Sequence, residues 1–144
     1  MSNKCKLFNG SKKATGAMSA RIDFPQPPAE GFDFLTNFVE FSEVSNRVTV
    51  VGLFESIGNP VQYIVLSWPV DLPGTDHDIR PRAEKLAWAN LTSLRTGYAT
   101  SGVLKEVLWD KANRTISGKF EFSGEGYNSG FQYEVREGEF SLAY

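Results

Sequence analysis

Apolar residues return at every second position through much of this chain, and that period predicts strands. In "GAMSARIDF", Met18, Ala20, Ile22 and Phe24 share one face while Ser19, Arg21 and Asp23 share the other, as in a half-buried strand. "PQPPAEG" ends it, because prolines cannot donate to a ladder. "FDFLTNFVEFSEV" fits two periods: Phe34, Phe38 and Phe41 suit a helical face, whereas Asn37, Val39 and Phe41 suit alternation, and an irregular or strand-like segment is expected. "NRVTVVGLFE" has Val48, Val50, Gly52 and Phe54 in phase, and "QYIVLSW" follows the turn residues "SIGNP", so the two read as a hairpin.

The polar, turn-rich stretch from Asp71 to Arg82 reads as a long loop. "AEKLAWANLTSL" is compatible with a short helix presenting Ala83, Ala87 and Leu91, or with a strand turning Leu86 and Trp88 inward. "GVLKEVLWD" is apolar on both faces, which predicts a central strand. "DKAN" connects it to "RTISGKFEF", where Ile116, Gly118, Phe120 and Phe122 alternate with Thr115, Ser117, Lys119 and Glu121. In the last segment Phe131, Tyr133 and Val135 share a phase that Phe140, Leu142 and Tyr144 reverse, so a bulge or tight turn is expected at Glu137-Gly138. The sum is an all-β, antiparallel sandwich or barrel of about eight strands with at most one short helix.

One heptad-length pattern occurs twice, at Thr49–Glu55 and Thr115–Glu121: Thr, β-branched, any, Gly, any, Phe, Glu. Gly52 and Gly118 fall in phase with apolar neighbours, so they are expected to be scaffold glycines against which a bulky aromatic from a facing strand packs.

At 144 residues a single core is expected, with residues 1–16 as a polar, flexible leader and 17–144 as one β-domain. A net charge of −2 with dispersed basic residues argues against nucleic acid as a partner. No apolar run is long enough for a transmembrane helix. The first residues hold no secretory h-region, which implies a cytoplasmic location, or an envelope or secreted one had a leader been removed. Cys5, the one cysteine, reads as an incidental thiol.

The order of "YIVLSWPVDLPGT", "SGVLKEVLWDKANRTISGKFEFSG" and "YEVREGEFSLAY" resembles a set of small bacterial all-β domains of unknown function, often met as predicted secreted lipoproteins. The resemblance covers residues 60–144, and it implies a sandwich-like or barrel-like domain with no catalytic residues to carry over. The chain departs from that pattern at its front, where only "MSNK" precedes Cys5.

Candidate chemistry is sparse. The single histidine, His77, lies between Asp76 and Asp78 with Asp71 nearby, which allows a metal site or a metal-dependent hydrolase, although a solvated turn explains the same residues. No GxSxG, P-loop or dinucleotide fingerprint is present, so no cofactor is expected. Tyr127 in "SGEGYNSG", with Trp68 and Trp109, could stack on a sugar or small ligand, while the two tryptophans equally suit strand-end packing. The function expected first is a non-catalytic protein-interaction or structural module, self-association included; a small-ligand or carbohydrate binder comes second and the hydrolase third.

Overall fold

The computed structural model describes residues 12–24, 31–55, 62–81, 86–92, 97–125 and 132–144. They form ten strands: β1 (Lys12–Asp23), β2 (Phe32–Thr36), β3 (Val39–Val44), β4 (Arg47–Phe54), β5 (Gln62–Pro69), β6 (His77–Ile79), β7 (Trp88–Thr92), β8 (Ala99–Asp110), β9 (Thr115–Glu125) and β10 (Gln132–Ala143). No helix occurs among the described residues. The strand count exceeds eight for two local reasons. The ambiguous aromatic segment is strand on both sides of a break at Asn37-Phe38, where the Thr36 hydroxyl accepts from Phe38 N and donates to Leu53 O. Three residues of the long polar loop, His77–Ile79, add to the β8 edge as β6.

Every ladder is antiparallel, and the strands follow the order β6-β8-β9-β10-β1-β3-β4-β5-β7, with β2 also on β1. The two ends of that path approach each other. Isolated bridges join Ile79 to Ala87 and Asn90 to Tyr98, and Arg80 N and Leu91 N donate to Ala87 O and Gly97 O at 3.0 and 3.3 Å. The sheet is therefore nearly closed and barrel-like, a shape that leaves few unpaired edge groups. Between β3 and β4, Ser45 and Asn46 both take left-handed φ values, 55° and 62°, as a two-residue hairpin turn that follows strand twist requires.

The inner face carries one continuous core. Met18, Ala20 and Ile22 of β1, Val48 and Val50 of β4, Ile64, Leu66 and Trp68 of β5, and Ile116, Phe120 and Phe122 of β9 are all buried in it. The alternation read in "GAMSARIDF" and "RTISGKFEF" is thus present, as is the β4–β5 hairpin. The parity reversal in β10 is present too: Val135 pairs with Phe122 and Gly138 with Phe120, so two residues of β10 oppose one of β9, and Glu137 sits at φ 52°.

Three expectations are corrected. β8 is not apolar on both buried faces: Leu108 is 65% exposed, and bulges between Ala99/Ser101 and Lys105/Leu108 change its phase. Leu104 and Trp109 both face inward across that shift, so a strand with one inner face looks two-sided in sequence. "AWANLT" is strand, but in the phase opposite to that expected, with Ala87, Ala89 and Leu91 buried and Leu86 exposed. The strand β1 begins at Lys12, inside the stretch assigned to the leader, because Lys12, Lys13 and Ala14 pair with β3.

Candidate functional site

Among the described residues, those nominated for chemistry do not converge. His77 and Ile79 of β6 are buried, whereas Asp78 between them is exposed and pairs with Arg80, because successive strand residues leave on opposite sides. Asp76 serves the backbone nearby. Its Oδ1 accepts from Glu106 N at 2.9 Å, satisfying the amide at the β8 bulge, where Glu106 has φ 52°. Burial holds the His77 imidazole below its ordinary value of 6.5, and the Asp76 carboxylate opposes that shift weakly. Among the described residues no group of three or more His, Cys, Asp and Glu is placed to hold a metal ion.

Trp68 and Trp109 are packing residues in this arrangement. Trp68 is buried against Phe140, with ring centroids 6.3 Å apart. Trp109 closes the end of the sheet near the β8–β9 hairpin: it donates Nε1–H to Tyr144 Oη at 2.7 Å and lies 6.0 Å from the Phe41 ring, which itself stacks on Tyr144 at 3.8 Å. Lys111 and Arg114 cover the Trp109 and Tyr144 rings at 4.4 and 4.9 Å. Tyr127, and Arg82 at the end of the long loop, lie outside the described residues.

Gly52 and Gly118 both line the inner face. A Cβ on Gly118 would fall 2.9 Å from the Phe140 ring, its direct partner on β10, and one on Gly52 would fall 2.7 Å from Met18 Sδ. The glycine at 118 makes room for an aromatic side chain; at 52 the neighbour is a thioether.

What sequence reasoning missed lies on the outer face of β8, β9, β10 and β1. There Leu108 pairs with Ser117, Ser117 with Ser141, and Ser141 with Ala17, so one row across four strands places a protruding leucine beside three small side chains. The row floors a groove of about 400 Å³, rimmed by Glu106, Lys119 and Glu139. Lys119 Nζ and Glu106 Oε2 are 3.2 Å apart, so the rim carries both signs of charge. The available signal was the register itself: Ser117 and Ser141 sit outward beside inward Ile116 and Phe140, but only the β8 bulge puts Leu108 outward with them.

No family model, no curated protein and no solved structure matches the chain. No helix among the described residues is long and apolar enough to cross a membrane.

Proposed function

We propose that the protein is a non-catalytic interaction module, its sheet a closed barrel rather than a sandwich, that binds a second copy of itself through the outer face of β8, β9, β10 and β1. The bridges from Ile79 to Ala87 and from Asn90 to Tyr98 support the closed form, and closure disfavours partner binding by strand addition at an open edge. One observation carries the self-association: Leu108 is 65% exposed and lies in the same row as the small residues that could receive it. A knob and a hole on one surface are self-complementary, the requirement for an isologous contact. A two-fold axis running parallel to β9 above Ser117 sets Leu108 of each copy over Ser141 of the other.

Sedimentation equilibrium tests this reading. The expected species has twice the 16.0 kDa chain mass, and Leu108→Glu returns it to the chain mass without loss of fold. A wild-type chain that stays at 16.0 kDa up to millimolar concentration would refute the proposal.

A further inference from the structure

At the end of the sheet where β1 finishes and β2 begins, the inner wall is lined by phenylalanines. Phe24, Phe32 and Phe54 are half-buried there, with ring centroids 6.4 Å apart for Phe24 and Phe32 and 5.7 Å for Phe32 and Phe54; buried Phe34 lies 5.4 Å from Phe54. Gln62 opens β5 directly opposite Phe54, in the inward phase shared by Ile64, Leu66 and Trp68. Its Oε1 is buried and accepts no hydrogen bond. A buried acceptor beside aromatic rings forfeits its hydration and gains nothing in exchange, so an orphan of this kind calls for an explanation.

We propose that this end of the sheet binds a small, largely apolar molecule carrying one hydrogen-bond donor, a hydroxyl or an N–H, which it delivers to Gln62 Oε1. The phenylalanines take the apolar body and the amide fixes its orientation, the usual division of labour in a small-molecule site. A sugar fits less well. Among the described residues at this end of the inner wall, the Tyr133 hydroxyl already donates to Gly97 O at 2.6 Å, and Gln62 Oε1 is the one acceptor there without a partner. The site is separate from the outer groove and does not depend on self-association.

Calorimetric titration of the full chain with 1-naphthol and with 1-methoxynaphthalene tests the inference, since the two probes differ by one donor. The expected result is one 1-naphthol per chain, bound about tenfold more tightly than its methyl ether, the preference a single buried hydrogen bond supplies. Gln62→Leu should erase the preference while keeping affinity for the ether and an unchanged or raised Tm, and Phe54→Ala should weaken both probes. Saturable binding of neither probe, or a preference that survives in Gln62→Leu, would overturn it.

Discussion

Gly118 and Phe140 meet directly across β9 and β10, and the separation of a hypothetical Cβ from that ring, 2.9 Å, is below any real contact. Gly118→Ala should therefore cost about 1–3 kcal/mol, the range for overpacking a filled core. Gly52→Ala should cost less, because its nearest neighbour is the adaptable Met18 thioether. Urea denaturation of the two variants checks the order, and equal, negligible costs would mean that neither glycine is there for packing. His77 yields a second residue-level prediction. Burial lowers its proton affinity in the folded state, so the unfolded chain takes the proton first. Its contribution is complete above the ordinary value of 6.5 and declines as pH falls below it. Tm should thus drop as pH is lowered from about 7.5 to about 5.5, and His77→Leu should flatten that slope. Asp23 and Asp110 act later in acid. The Arg136 guanidinium hydrogen-bonded to Asp23, and Asn113 bonded to Asp110, hold both carboxyls below 3.8, so their contributions persist until pH falls through that region.

At the scale of elements, the bulges decide which face each strand presents. The β10 reversal could be read from sequence because a run of clear alternation stands on both sides of Glu137-Gly138. The β8 shift could not, since Val103, Leu104, Val107, Leu108 and Trp109 offer an apolar residue in either phase, and only pairing with β9 selects Leu104 and Trp109 for the core. The same ambiguity hid the candidate surface, because a Leu108 assigned to a buried central strand has no reason to be a contact residue. In β7 the alternation was visible but its sense was not: small Ala87 and Ala89 face inward, and larger Leu86 and Trp88 do not. A size-based choice of face fails where neighbouring strands already fill the interior with aromatic rings. The β8 bulge is also anchored from outside its own hairpin. Asp76 on the segment before β6 accepts from the exposed Glu106 amide, so Asp76→Ala should destabilise by about 0.5–1 kcal/mol, the net value of one hydrogen bond that water can replace. Asp76→Asn, which keeps an acceptor, should recover most of that loss in thermal unfolding.

For the molecule as a whole, a sheet that nearly closes on itself hides its edges and leaves two kinds of surface, the ends and the outer wall. The end near the β8–β9 hairpin is occupied by Trp109, Tyr144 and Phe41, and the opposite end by half-buried phenylalanines and the Gln62 acceptor. The outer wall of β8, β9, β10 and β1 supplies the self-complementary row on which the proposed function rests. Disulfide trapping tests that contact most directly. With Cys5 replaced by serine, Leu108→Cys and Ser141→Cys are introduced together. In one chain these positions lie two strands apart, roughly 10 Å, beyond the Cα separation of about 7 Å that a disulfide spans. Mild oxidation should then give a reducible band at twice the 16.0 kDa chain mass, which neither single replacement produces in comparable yield. A double variant that stays at the chain mass under the same oxidation would contradict the account.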